Sequence, residues 1–366
     1  MDICLFTDFR FATSAAPTGV AKHMQFMAKG LSADPRFQVR ALVPSDQIAK
    51  MGFLEYLPAT RLPLTWKVSR EIWTWCGVPN ADRWVGNAEW VYSPKNDWIP
   101  VRKAKYAATI HGAHELDPAF ASPPSGVVDR VKLQRTRMQY ARISRHADVI
   151  FTVSEWLRQF VMERFHVGGD RVVVTGNGVD PVFYEAGKNP NVDEEHPFIL
   201  CVGGFNHIDG GDRVLALAHV IRRSGKALRI KLAGSQHAPE MVSEAIQTGC
   251  IDLLGFVPHG ELASLMAQAQ ALYFPTRYET FGMAAAEAMA AGCPVIASRC
   301  TAVPEIVGKC GLYVDTDRPE DALDALLALA EDEQARRNLV EAARARAIRF
   351  TWENSCQRLQ DRLLQL

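Results

Sequence analysis

Short runs of apolar, mostly β-branched residues recur along the chain, and longer stretches with a helical spacing of apolar positions fill the gaps between them. In the first half, runs near 2–7, 37–43, 89–93, 105–110, 147–153 and 171–175 predict strands. The stretches 19–31, 126–146 and 155–165 predict helices. Strand and helix patterns taken in alternation predict parallel sheets covered on both faces. The segment 181–197, PVFYEAGKNPNVDEEHP, breaks the rhythm: it is polar, acidic and proline-containing, and it reads as a linker. A second series then starts at Phe198, with strands near 198–202, 229–233, 251–255, 271–274, 294–297 and 311–314. Helical patterns at 260–269, 282–291 and 319–330, a charged amphipathic stretch at 331–347 and a last helix running to Leu366 complete it. No internal repeat interrupts either series, so the pattern predicts two consecutive doubly wound α/β domains.

Composition changes this picture little. The chain has 366 residues, enough for two domains that each bury a core. Lys plus Arg (41) equal Asp plus Glu (41), so no overall charge pulls the protein toward nucleic acid. The N-terminal MDICLFTDFR has neither a basic opening nor a long apolar run, and no stretch approaches the roughly 18 apolar residues of a membrane span. The eight cysteines are scattered without a CxxC pair, which reads as free thiols in a reducing, cytoplasmic setting.

The chemistry concentrates in Pro275-Thr-Arg-Tyr-Glu279-Thr280-Phe281-Gly282-Met283 and the Ala-rich run that follows to Glu287 and Gly292-Cys-Pro294. A strand ends at Phe274, a turn carries Glu279, and a helix is expected from about Phe281. Its first N–H groups have no intrahelical partner, and the positive dipole end is ready for an anion. Gly282 lacks a Cβ, so an anion such as a diphosphate can come close to the backbone. Glu279 and Glu287 lie eight residues apart, roughly 12 Å along a continuous helix. That is too far for a paired acid/base dyad, whose carboxylates sit about 5–9.5 Å apart. The spacing suits two ends of one elongated ligand.

These residues resemble the Glu-x7-Glu signature of the retaining GT-B glycosyltransferases of family 4, with Glu279, seven residues Thr280–Ala286, and Glu287. The likeness continues through Glu287-Ala-Met-Ala-Ala-Gly-Cys-Pro-Val-Ile and Pro304-Glu305-Ile-Val-Gly. It also covers Ser154-Glu155, Asn177-Gly178-Val179-Asp180 and Phe350-Thr351-Trp352-Glu353, all in the family's order. The resemblance implies a GT-B fold: two Rossmann-like domains facing a central cleft. Residues 1–180, completed by the terminal helix 351–366, form the acceptor-side domain, and 181–350 the donor-binding domain. It implies that Glu287 holds ribose hydroxyls and Glu279 hydroxyls of the transferred sugar, with Thr280, Phe281, Gly282 and Met283 meeting sugar and diphosphate. His111, ending the strand 105–110, matches the family histidine that faces the donor sugar, and Gly19 sits where a glycine-rich loop opens the first helix. The donor is then a nucleotide-diphosphate sugar, such as GDP-mannose or a UDP-sugar. The acceptor is a glycan or lipid-linked saccharide in polysaccharide synthesis. Transfer is retaining, the departing diphosphate oxygen taking the acceptor's proton, and it needs neither metal nor cofactor, because helix N-termini can supply the phosphate charge.

The likeness breaks after the first strand of the second series, in Val202-Gly203-Gly204-Phe-Asn-His-Ile-Asp209-Gly-Gly211. The family places an Arg and a Lys here against the diphosphate; this chain has Gly204 and Asp209. A carboxylate about 4 Å from a phosphate is repelled by about 4 kcal/mol at an effective dielectric of 20. Either Asp209 points away, or Arg213 one turn later compensates, or the donor chemistry differs. The loss of this pair keeps two alternatives open, a non-catalytic nucleotide-sugar-binding relative and a GT-B-shaped epimerase or hydrolase. Asp315-Thr316-Asp317 looks like a metal-binding DxD but reads as a turn and helix cap. Six tryptophans (66, 73, 75, 84, 90, 98) precede Arg102, Lys103 and Lys105. Core packing is one reading; an acceptor wall or a peripheral contact with an anionic membrane is the other.

Overall fold

The computed structural model describes residues 1–10, 18–121, 123–188, 191–193, 195–236 and 238–366. The first series runs β1 (Asp2–Leu5), α1 (Gly19–Ala33), β2 (Gln38–Pro44), β3 (Ala59–Leu62), α2 (Trp66–Cys76), α3 (Asp82–Val85), β4 (Trp90–Ser93) and β5 (Lys105–Ile110). It continues with α4 (Val127–His146), β6 (Val149–Thr152), α5 (Glu155–Phe165), β7 (Val172–Val174) and α6 (Pro181–Ala186). The second runs β8 (Phe198–Val202), α7 (Gly211–Ser224), β9 (Arg229–Ala233), α8 (Pro239–Thr248), β10 (Ile251–Gly255), α9 (His259–Gln268), β11 (Ala271–Phe274) and α10 (Met283–Ala290). It closes with β12 (Val295–Ala297), α11 (Val303–Val307), β13 (Leu312–Tyr313), α12 (Pro319–Glu331), α13 (Glu333–Ala347) and α14 (Trp352–Gln365).

The chain divides into two compact units, Met1–Gly178 with Trp352–Leu366, and Val179–Thr351. Each holds one all-parallel sheet, ordered β3-β2-β1-β4-β5-β6-β7 in the first and β10-β9-β8-β11-β12-β13 in the second. Both orders reverse beside the first strand of the unit, which is where doubly wound sheets leave a crevice for ligands beyond the strand ends. Strands such as Val149-Ile-Phe-Thr152 and Ala271-Leu-Tyr-Phe274 are buried along their whole length, as layers of helices on both faces require.

Helix ends follow local chemistry. Thr18, Thr65 and Ser154 cap α1, α2 and α5 by accepting from the N–H three residues on, and Gly77, Gly225 and Gly249 close α2, α7 and α8 in the left-handed region. In the first unit α14 returns to α1. The Phe26 and Trp352 rings stack at 4.6 Å, and a Cβ on Gly30 would overlap the Cys356 sulfur, so only glycine lets the two helices approach so closely.

Two expectations need correction. The segment 181–197 is not wholly linker, because Pro181–Ala186 forms α6: Pro181 presets the first helical φ, Phe183 is buried, and the Tyr184 hydroxyl donates to the Ala347 and Phe350 carbonyls at 2.9 Å. The strand Ala59–Leu62 and the helix Trp66–Cys76 were not among the predicted elements. The strand has only four residues, too few for a period to show, whereas the helix does carry an amphipathic period, burying Trp66, Ser69 and Trp73 on one face. Four of the six clustered tryptophans (66, 73, 90 and 98) are buried, so core packing accounts for most of that stretch.

Candidate functional site

The loops after β8 and β11, the two strands flanking the reversal of the second sheet, hold most of the residues singled out by sequence. After β11, Thr276–Glu279 form a turn and Gly282 opens α10 at φ 95°, in the left-handed region that favours glycine. The helix starts at Met283, not at Phe281, and the turn Glu279–Gly282 is not helical. The 12 Å separation expected for a continuous helix therefore does not apply; only Met283 to Glu287 follows the helical rise, about 6 Å. Phe281 is buried with its ring edge-on to Phe350 at 5.6 Å, and Glu287 is buried on α10. Thr280, Phe281, Gly282 and Met283 thus share one turn, with Glu279 at its mouth.

Glu279 itself folds back over that turn: its carboxylate accepts from the backbone N–H groups of Thr280, Phe281 and Gly282. Part of its surface reaches solvent, but most of its surroundings are protein. Desolvation by that protein, then the nearby charge of Asp209, push its pKa up to about 7 against the lowering pull of the three N–H groups. A side chain that can be half protonated near neutrality can both donate to and accept from a hydroxyl.

After β8 the loop is tied by its own acid. The Asp209 carboxylate accepts from the Gly204 N–H at 2.9 Å and the Asn206 side-chain amide at 2.7 Å, and the Asp209 N–H donates to Asn206 at 3.0 Å. A Cβ on Gly204 would lie 2.5 Å from the Asp209 Oδ2 and overlap the Asn206 amide. The missing cation at 204 and the acid at 209 are thus one arrangement: the carboxylate fills the space a side chain at 204 would need. Gly210 opens α7 at φ 81°, and a Cβ there would overlap the Pro275 carbonyl oxygen, so the two loops touch backbone to backbone.

Arg213 does not stand free beside these loops. Its Nε donates to Asp317 at 2.8 Å and its Nη1 to the Pro275 carbonyl at 2.9 Å. Arg277 is likewise engaged, donating to both oxygens of Asp212 at 2.7 Å and to the His207 carbonyl at 2.7 Å. The Asp315–Asp317 turn reading holds, since the Asp317 N–H donates to Asp315 at 3.1 Å, but neither side chain caps α12; Asp317 serves Arg213 instead. Among the described residues no group of three or more His, Cys, Asp and Glu is placed to hold a metal ion.

In the first unit His111 follows β5. Its Nε2 lies 2.8 Å from the Pro94 carbonyl, which can only accept, so Nε2 carries the proton and Nδ1 is left as an acceptor. Burial, with the positive charge of Lys95 adding to it, lowers its pKa to about 4 despite that hydrogen bond, so the ring is neutral at physiological pH. The buried His23, whose Nδ1 bonds Asn177 at 2.9 Å, meets the His111 ring edge-to-face at 4.6 Å. Gly19 is the first residue of α1, and residues 11–17 before it lie outside the described residues.

Sequence reasoning missed the segment that holds the Glu279 turn in place. Ser298 donates to the Thr276 carbonyl at 2.5 Å, and the Cys300 thiol to the same oxygen at 3.2 Å. The Thr301 hydroxyl bonds both the N–H and the carbonyl of Glu279, at 2.8 and 2.6 Å. The signal available was a Ser, a Cys and a Thr just past a buried strand, a pattern too common to single out.

Two family profiles match the chain, "Glycosyltransferase Family 4" over residues 17–183 and "Glycosyl transferases group 1" over 184–346. The O-antigen chain mannosyltransferase B of Escherichia coli is 27% identical over 280 residues, 73% of this chain and 72% of that one. The D-inositol 3-phosphate glycosyltransferase of Corynebacterium glutamicum is 27% identical over 271 residues, 68% of this chain and 65% of that one. Among solved structures, sucrose-phosphate synthase from Thermosynechococcus elongatus superposes with a TM-score of 0.73 at 17% identity, covering 100% of this chain and 98% of that one. Anabaena HepE, solved in complex with UDP and glucose, gives 0.69 at 16% identity over 100% of both chains.

Proposed function

The chain belongs to the group 1, family 4 glycosyltransferases of GT-B fold, and on that premise we propose that it is a retaining hexosyltransferase. It moves a hexose from a nucleotide-diphosphate sugar, GDP-mannose or a UDP-sugar, to a glycan or lipid-linked saccharide in polysaccharide synthesis. The observation that carries this reading is the second unit's switch point: a glycine-opened helix, a carboxylate with pKa about 7 at its mouth, and a second, buried carboxylate on its first turns. In this reading the N–H groups and dipole of α10 take the diphosphate, Glu287 the ribose hydroxyls and Glu279 the hexose hydroxyls. In the first unit, assigned to the acceptor, His111 offers its Nδ1 lone pair to a hexose hydroxyl and Gly19 its backbone to the diphosphate. Arg213 acts on the donor through the Pro275 carbonyl, by fixing the loop that precedes α10.

Transfer breaks the bond from the anomeric carbon to the phosphate oxygen and forms the bond to the acceptor oxygen on the same face. The acceptor's proton passes to the departing phosphate oxygen, so no protein nucleophile takes part. The helix N-terminus stabilises the charge that develops there, without a metal ion. A lipid-linked acceptor places the work in the cytoplasm at the inner membrane face; among the described residues no helix is long and apolar enough to cross a membrane.

A thermal-shift screen against UDP-, GDP- and ADP-sugars identifies the donor, and NMR of the product anomer with EDTA present tests retention and metal independence together. Glu287→Ala is expected to weaken the free nucleoside diphosphate by ten-fold or more, the loss of about 1.4 kcal/mol or above. An inverted product or a requirement for Mn²⁺ or Mg²⁺ sinks the mechanism. Binding without turnover makes the chain a non-catalytic relative.

A further inference from the structure

Thr301 has a backbone φ of 39°, a region that β-branched residues rarely enter and that glycine enters freely. It follows β12 and lies 22 residues beyond Glu279, yet its hydroxyl is bonded to both sides of that residue. It accepts from the Glu279 N–H at 2.8 Å and donates to the Glu279 carbonyl at 2.6 Å, and the next N–H, of Ala302, reaches the same carbonyl at 3.2 Å. A glycine at 301 would relieve the backbone and lose both hydroxyl bonds. The conformation is held by surrounding structure, with Ala302 and Val303 fully buried and α11 starting at Val303.

We propose that Thr301 is the positioning residue for Glu279. With the peptide groups before and after its Cα clamped by one hydroxyl, Glu279 can move only through its side-chain torsions. Those are limited in turn by the three N–H groups its carboxylate meets. Thr301 therefore fixes where the carboxylate stands relative to α10 and acts through Glu279. This rests on the assignment of Glu279 to the transferred hexose.

The test compares Thr301→Val, which keeps the branched shape and loses the hydroxyl, with Thr301→Ser, which keeps the hydroxyl. Calorimetry of the full chain with GDP and GDP-mannose, and with UDP and UDP-glucose, reads the ratio of intact-donor to nucleotide affinity. Thr301→Val should weaken the intact donor about ten-fold and the free nucleotide by less than two-fold, and Thr301→Ser should stay within about three-fold for both. Thr301→Ala serves in its place if Thr301→Val does not fold. An unchanged ratio in the variant lacking the hydroxyl overturns the proposal, as does equal impairment in Thr301→Ser, which would make shape the cause. Glu279→Gln is run in parallel. If it too leaves the ratio unchanged, the assignment of Glu279 has failed; if it alone lowers the ratio, only the role of Thr301 has.

Discussion

Two helices of the second unit start in the same way and end up with opposite surroundings. Both α7 and α10 follow a strand at the sheet's switch point, and both open at a left-handed glycine with no side-chain cap. Around α7 the chain closes on itself: Asp209 ties Gly204 and Asn206, Arg277 grips Asp212, and Arg213 grips Asp317. Every charge there has a partner within the protein. Just before α10, Glu279 lies over the N–H groups of Thr280, Phe281 and Gly282 and is pushed toward neutrality by its surroundings and by Asp209, while Glu287 is buried on the helix itself. The α7 end is tied down by its own side chains, and the α10 end is the one we propose takes the donor. A helix N-terminus alone does not distinguish the two; what the neighbouring side chains already satisfy does.

The sharpest way to break this contrast is to give both glycines a methyl group. Gly210→Ala meets the left-handed φ penalty and an overlap with the Pro275 carbonyl, and should cost more than about 3 kcal/mol in urea denaturation. Gly282→Ala meets only ordinary contacts, at 3.6 Å to Phe274 and 4.0 Å to Ala285, and should cost about 1 kcal/mol of backbone strain. Equal losses would mean that the two ends are not packed differently. Next in size is Asp209→Ala, which leaves the Gly204 N–H and the Asn206 amide without their acceptor, at about 1–3 kcal/mol. The same variant removes a charge that raises the Glu279 pKa, so an NMR titration should find Glu279 ionising at lower pH. An unmoved titration would separate the two loops electrostatically.

The smallest effect is a slope. Burial pushes the Glu279 pKa up to about 7 in the folded chain from its ordinary 4.5, so between those values the native state holds more protons than the unfolded one. Its contribution to stability is present at low pH and is lost as pH rises through that window. Glu279→Gln removes the loss. Relative to the parent its melting temperature should rise between pH 5 and pH 8 by about 3 °C, the shift ~1 kcal/mol gives in a domain of this size. The full shift from 4.5 to about 7 would carry ~2.5 kcal/mol over that window, and partial exposure of the side chain screens it. A parallel pair of melting curves would show that Glu279 is not held against ionisation.

The fold was legible because its signals are local. The apolar runs at 105–110, 198–202 and 229–233 appear as β5, β8 and β9, and the turn from Phe274 through Gly282 into the Ala-rich helix lies where the glycine and the strand end predict it. The short helix at Pro181–Ala186 escaped because a polar, acidic composition outweighs one buried Phe183 in any local reading. The site divides along the same line. That Glu279 stands in the turn leading into the helix that carries Glu287 follows from eight residues of sequence. The tying of Asp209 back into its own loop, the diversion of Arg213 to Asp317 over 104 residues, and the grip of Thr301 on the Glu279 peptide over 22 do not. Sequence by itself determined the two parallel sheets, the glycine-opened helix and the acids along it, because backbone propensity and apolar period act within a few residues. Only the tertiary structure decided which charges are already satisfied, because hydrogen bonds and desolvation depend on distances between segments that packing alone brings together.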